Sequence, residues 1–147
     1  MNAREIATIR ADFARILERA DDFAIQFYDR LFEIGPDLQQ LLPIDLPQLR
    51  LKLLDTLTVL VDALDDGETA RTALQAIGAQ FGRLEVAPHH YVMIGEALLD
   101  TLERELGELG DTARHAWVKA YTLLSDQVAE ARRQLTVTDM LADAALG

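Results

Sequence analysis

The side chains able to hold a metal or move a proton are few and unevenly placed. Histidine occurs only at His89, His90 and His115, so residues 1–88 contain none. Imidazole is the commonest protein ligand for transition metals. Adjacent residues of a helix point about 100° apart, however, so His89 and His90 are expected at the surface or a rim without forming a joint site. His115 has Asp111 one turn back and is expected on a solvated face. Cysteine is absent, which excludes disulfides, thiolate catalysis and zinc-thiolate sites and fits a reducing compartment. Ser125 is the only serine and lacks the G-x-S-x-G setting of a nucleophile, and no H-E-x-x-H motif or glycine-rich phosphate loop occurs. Gly78 and Gly82 stand four apart, a spacing that fits close helix packing better than phosphate binding. No catalytic residue is assigned, and an enzyme is not expected.

The elements that would position these residues read as helices throughout. Asn2 can cap a first helix in which Ile6, Ile9, Phe13, Ile16 and Leu17 recur at helical spacing. Asp21 and Asp22 restart or bend the chain, and a second helix with Phe23, Phe27, Tyr28, Leu31 and Phe32 stops at Gly35-Pro36. A short turn then runs through Leu42. Pro43 and Pro47 bracket a loop, and Asp45 can cap a helix from about Leu46 to Leu64 striped by Leu49, Leu53, Leu57, Leu60 and Leu64. Asp65-Asp66-Gly67 ends it. A further helix puts Leu74, Ile77, Phe81 and Leu84 on one face, with Phe81 inward. Val86-Ala87-Pro88 is a corner. Tyr91, Ile94, Leu98, Leu102 and Leu106 sustain a helix to Gly107, and Gly110-Asp111 opens the last long one, with Trp117, Ala120, Leu124 and Val128 inward. Residues 137–147 are expected as a tail with a short helix carrying Met140 and Leu141, leaving 1–136 as one domain. No alternating strand pattern or repeat appears.

Composition narrows the partners. A chain of 147 residues, half of them apolar, can bury one core without a staple. Fourteen basic against 25 acidic residues give a formal charge of −11, which repels phosphate backbones and anionic headgroups. Nucleic acid and membrane are therefore not expected as partners. With no signal-peptide pattern and no apolar run near the ~20 residues of a span, a cytoplasmic protein is expected.

Several motifs carry a family resemblance. Phe27-Tyr28-Asp29-Arg30-Leu31-Phe32 with Pro36 and Leu38 resembles F-Y-x-R-L-F-x-x-x-P-x-L. Gly95 to Leu102 resembles G-E-A-L-L-x-T-L, and Ala116 to Tyr121 resembles A-W-x-K-A-Y. The stretch Ile77 to Gly95 resembles L-G-x-x-H-x-x-x-G-V-x-P-x-H-Y-x-x-V-G. These are motifs of the bacterial single-domain globins and flavohaemoglobins, in the family's order from about residue 3 to 134. The resemblance implies an all-α, globin-like fold of roughly six to eight crossed helices.

It also implies which positions would face a haem, and most are altered. The histidine that would bind iron falls on Phe81, whose ring has no lone pair to give a metal. The porphyrin-stacking phenylalanine falls on Leu42. The distal glutamine or histidine falls on Leu49, within a frame that keeps Lys52 and Leu53. Tyr28 matches the tyrosine that reaches over the iron, although its ring can equally be core and its hydroxyl bonded to a carbonyl. Tyr91 matches the tyrosine that supports the proximal histidine, whereas the accompanying glutamate falls on Arg132. The expected degenerate pocket is thus Tyr28, Leu42, Leu49, Lys52, Leu53, Phe81 and Tyr91, with no metal and no cofactor.

Three functions stay open. The first is a haem-free globin-like binding or sensing module whose crevice collapses or holds an apolar, fatty-acid-like molecule. The second is a haem protein with a displaced axial ligand, His90 or His89. The third is a protein-interaction domain, a homodimer through the helices near 89–106 and 111–134, passing its signal to an unknown partner by contact.

Overall fold

The chain's structure, a computed structural model, describes residues 1–42, 46–65, 68–82 and 87–146. Helix α1 spans Ala3–Leu17 and opens on a reciprocal cap: the Asn2 side chain accepts from the Glu5 N–H at 2.8 Å, and Glu5 accepts from the Asn2 N–H at 3.1 Å. Its Ile9, Phe13 and Ile16 are buried. The break to helix α2, Ala20–Ile34, falls at Glu18 and Arg19. Of the two roles open to Asp21 and Asp22, they take the restart: they lie in the first turn of α2, where carboxylates oppose the positive end of the helix dipole. Gly35 ends α2 by donating its N–H to the Leu31 carbonyl at 2.8 Å.

A single turn, α3, covers Leu38–Leu41, and helix α4 covers Leu46–Asp62, continued by a 3-10 turn at Ala63–Asp65. Pro47 is in the first turn of α4 rather than in a loop, a position that tolerates proline because the N–H it lacks would have had no intrahelical partner. Pro43, the Asp45 cap and the Asp66-Gly67 stop lie outside the described residues. On α4 the expected stripe is the inner face, with Leu49, Leu57 and Leu60 buried and Leu53 half-buried, while Leu51 is 65% exposed.

Helices α5, Glu68–Gly82, α6, Pro88–Leu106, and α7, Asp111–Leu146, complete the fold. Leu84 and Val86 lie outside the described residues. Gly107 ends α6 at φ +89°, a left-handed conformation that glycine takes at little cost. Helix α7 runs unbroken to Leu146, so the loop expected from Thr136 is helix instead. That segment holds good helix formers such as Leu141 and Ala142, and no proline or glycine interrupts it before the last residue.

The main packing partners are not neighbours in sequence. α5 lies on α7, α2 on α6, and α1 on α7. Small residues permit close approach of α5 to α7, where a Cβ on Gly78 would stand 2.9 Å from the Gln127 backbone, and of α6 to α7, where one on Gly95 would stand 2.8 Å from the Tyr121 ring. Trp117, wholly buried, donates its indole N–H to Asp12 at 3.0 Å and so ties α7 to α1. The described residues form an all-helical arrangement without strands, the fold class that the motifs imply.

Candidate functional site

The apolar stripes of α2, α4, α5, α6 and α7 converge without quite meeting. Between them lies a cavity of about 150 Å³. Helix α2 contributes Phe27, Tyr28 and Leu31 to its wall; α4 contributes Leu49, Lys52, Leu53, Thr56, Leu57 and Leu60. Gln80 and Phe81 come from α5, Ile94 and Leu98 from α6, Tyr121 and Leu124 from α7, and Leu42 from the end of α3. The wall is almost entirely hydrocarbon. Thr56 and Tyr28 bring buried hydroxyls to it, and Lys52 and Gln80 are exposed at its edge.

Tyr28, Leu42, Leu49, Lys52, Leu53 and Phe81, scattered over 54 positions from 28 to 81 in sequence, are thus gathered around one space. Tyr91 is not among the lining residues. Its hydroxyl donates to the Phe81 carbonyl at 3.5 Å, and its own carbonyl accepts the Tyr121 hydroxyl, which links α5, α6 and α7 behind the wall. Tyr121 and Thr56 were not singled out from sequence. Signals for both existed: Tyr121 ends the A-W-x-K-A-Y motif, and Thr56 lies one turn beyond Lys52 and two beyond Leu49.

The Tyr28 hydroxyl does not point into the cavity for a guest. It donates to the Leu49 carbonyl at 2.9 Å, in a buried setting, and so pins α2 to α4. Burial pushes the Tyr28 phenol above the ordinary tyrosine range. The same cause pushes Tyr121 up to about 12, and raises Tyr91, with Arg132 acting in the opposite sense. All three therefore remain neutral near pH 7.

For haem, the donor set can be tested directly. Phe81 is half-buried against the cavity at the position where the resemblance places the iron ligand, and the lining residues include no histidine, cysteine or methionine. The crevice, open at its Lys52 and Gln80 edge, holds about 150 Å³, below the roughly 300–1,000 Å³ of ordinary small-molecule sites. The two tyrosine hydroxyls on the wall, Tyr28 and Tyr121, are each donated to a backbone carbonyl, so the described lining holds out no free donor of the kinds that usually ligate haem iron.

The histidines lie elsewhere, at the start of α6. His90 is not a surface residue, being only 4% exposed. Its Nδ1 accepts the Ala87 N–H at 3.0 Å, and its Nε2 is 2.6 Å from Asp37 Oδ2. An Nδ1 that accepts carries no proton, so Nε2 holds it and donates to the carboxylate. His90 thus does what a glutamate usually does at the third position of a helix, satisfying a free N–H of the first turn. The hydrogen bond from His90 holds the Asp37 carboxyl below the usual carboxylate range. The expected divergence of His89 and His90 is also corrected: their ring centroids are 4.1 Å apart. Cβ directions diverge along a helix, but ring rotation about χ1 and χ2 brings the imidazoles back together. His115 is exposed, as expected.

No helix among the described residues is long and apolar enough to cross a membrane. A globin family profile matches residues 25–128. Over 135 residues the chain is 23% identical to an uncharacterized globin-like protein of Aquifex aeolicus, covering 92% of this chain and 96% of that one. Two solved structures share its fold at a TM-score of 0.78. One is the hemoglobin of the botfly Gasterophilus intestinalis, 14% identical, with 90% of this chain and 99% of that chain covered. The other is a bacterial globin from Campylobacter jejuni, 18% identical, with 92% and 99% covered. The profile match spans well over half the sequence, and the chain belongs to the globin family.

Proposed function

We propose that this globin is a binding or sensing module that works without haem, and that its reduced crevice takes a small apolar molecule. The observation that carries this is the hydrocarbon-walled crevice with Phe81 on its wall and no histidine among its described lining residues. A sealed, empty apolar cavity costs about 24 cal/mol per Å³, so for 150 Å³ that is open at one edge about 3.6 kcal/mol is the upper bound. That is large beside the 5–15 kcal/mol of a typical domain, and a guest that fills the space recovers part of it. An apolar cavity of about this size stays dry and takes a benzene-sized molecule. Lys52, exposed at the edge, sets an ammonium where the carboxylate of an acyl chain would sit with its tail inside. Nothing in this reading requires catalysis.

Two titrations test it. Saturation with a benzene-sized hydrocarbon or a short-chain carboxylate raises the melting temperature; at one hundred times Kd the stabilisation is about 2.7 kcal/mol, roughly 9 °C for a chain of this length. Leu53→Phe, which pushes a larger side chain into the space, diminishes that shift. Hemin gives no sharp, stoichiometric Soret band, and Phe81→His improves its binding only in part, because Leu42 and Leu49 are unchanged. A sharp band in the wild type, abolished by His90→Ala but not by His115→Ala, would replace this proposal with the displaced-ligand one.

A second reading, an interaction domain that pairs with another copy, is favoured by exposed apolar residues on the last two helices. Val92 is 72% exposed, Val118 44% and Leu123 40%, while Val137, Met140 and Leu141 are exposed at helical spacing. Leu109, in contrast, packs on the core. A homodimer mass in light scattering is expected, and a concentration-independent monomer removes this reading.

A further inference from the structure

We propose that Asp37, His89 and His90 form a site for one divalent transition metal of the Zn²⁺, Ni²⁺ or Cu²⁺ class, at the junction of α3 and α6. The fold brings together two imidazoles and a carboxylate that are 52 and 53 positions apart in sequence, and one ligating atom of each lies within 4.8 Å of the other two. Neutral imidazole and carboxylate are the donors such ions take, at about 2.0–2.2 Å. Tetrahedral ligands at that radius stand about 3.3 Å from one another. The required movements are therefore small: Asp37 Oδ2 draws back from its 2.6 Å contact with His90 Nε2, and the exposed His89 ring swings in. Burial fixes the position of the His90 ring, while the two exposed groups are free to close on it. Asp37 and His89 are both exposed, so water is available to complete the coordination. A formal charge of −11 favours cations near the chain.

Binding has a structural consequence that makes it detectable apart from affinity. His90 now carries its proton on Nε2 and uses the Nδ1 lone pair to cap Ala87. A metal on Nε2 moves that proton to Nδ1, leaving the ring neutral and releasing no net proton. Two N–H groups then face each other, and the Ala87 N–H loses its acceptor. Metal binding and the cap of α6 are alternatives. The ion therefore loosens the first turn of α6, the helix that bears Ile94 and Leu98 on the cavity wall.

The test is calorimetric titration of untagged, chelator-treated full-length protein with NiCl₂ and ZnCl₂, alongside amide spectra of ¹⁵N-labelled protein. One equivalent is expected to bind. His89→Ala and Asp37→Asn, both at exposed positions and outside the cap, each weaken binding on the order of 10–100-fold; His115→Ala leaves it unchanged. The Ala87 amide shifts and exchanges faster with the first equivalent. No saturable binding, binding untouched by His89→Ala and Asp37→Asn, or a bound ion with the Ala87 amide unmoved would each overturn the assignment. None of these outcomes depends on what occupies the apolar cavity.

Discussion

Tyr28→Phe separates two roles for the residue that resemblance would place over an iron. In this chain its hydroxyl donates to the Leu49 carbonyl at 2.9 Å and ties α2 to α4. Removing it deletes one buried hydrogen bond, and the net value of such a bond is about 0.5–1.5 kcal/mol. Leu49 is inside α4, so its carbonyl keeps the intrahelical bond from four residues on, and the penalty of a wholly orphaned acceptor does not apply. A loss of about 1 kcal/mol is expected. At about 2.1 cal/mol/K per residue, 147 residues have an unfolding entropy near 0.31 kcal/mol/K, so the melting temperature falls by about 3 °C. Urea unfolding followed by circular dichroism, with calorimetry in parallel, measures both. Tyr91→Phe is the control, because its hydroxyl contact is 3.5 Å and so at the edge of hydrogen bonding; its stability stays within about 0.5 kcal/mol of wild type. Apolar guests bind Tyr28→Phe as they bind the wild type, since no wall volume changes. If Tyr28→Phe is as stable as wild type but loses guest binding, the hydroxyl serves the ligand and not the contact between α2 and α4.

Three further outcomes follow from the packing. Gly78→Ala puts a methyl 2.9 Å from the Gln127 backbone, which cannot rotate away, and is expected to cost roughly 1–3 kcal/mol in urea unfolding; a neutral result would mean that α5 and α7 slide apart freely. The hydrogen bond from Lys119, and then that from the Asn2 backbone, hold the Glu5 carboxyl below its ordinary range. Its stabilising contribution is thus full above about pH 4.3 and lost as pH falls through the lower folded value, so Glu5→Gln flattens the acid limb of a stability profile, and an unchanged limb would deny the bridge any role. Truncation after Leu135 removes exposed Val137, Met140 and Leu141. It is expected to leave monomer stability within about 0.5 kcal/mol, and a larger loss would show that the end of α7 packs on the core.

What was legible in the sequence was local. The Asn2 cap, the Gly35 and Gly107 stops and the apolar stripes each depend on residues within a turn or two of one another, so the all-helical order could be read directly, and the family motifs supplied its arrangement. Errors arose where a local sign has two meanings. Proline marks a loop or a first helical turn, and Pro47 takes the second. Thr136, Val137, Thr138 and Asp139 are weak helix formers that read as a loop, but Met140, Leu141 and Ala142 behind them favour helix, and α7 continues through both.

The site was legible only as a set of positions. Resemblance put Tyr28, Leu42, Leu49, Lys52, Leu53 and Phe81 around one space, and Phe81 states by its chemistry alone that it cannot ligate iron. Tertiary structure decided the rest. Periodicity says which face of a helix is apolar but not how far it stands from the opposing face, so a cavity of about 150 Å³ is a small difference between large packed volumes and leaves no trace in spacing. The partner of a buried polar group is equally non-local: Tyr28 finds Leu49 21 residues on, and His90 finds Asp37 53 residues back. A histidine beside a proline corner reads as exposed until the chain brings a carboxylate to its other nitrogen, because the cost of burying an imidazole depends on partners that only folding supplies.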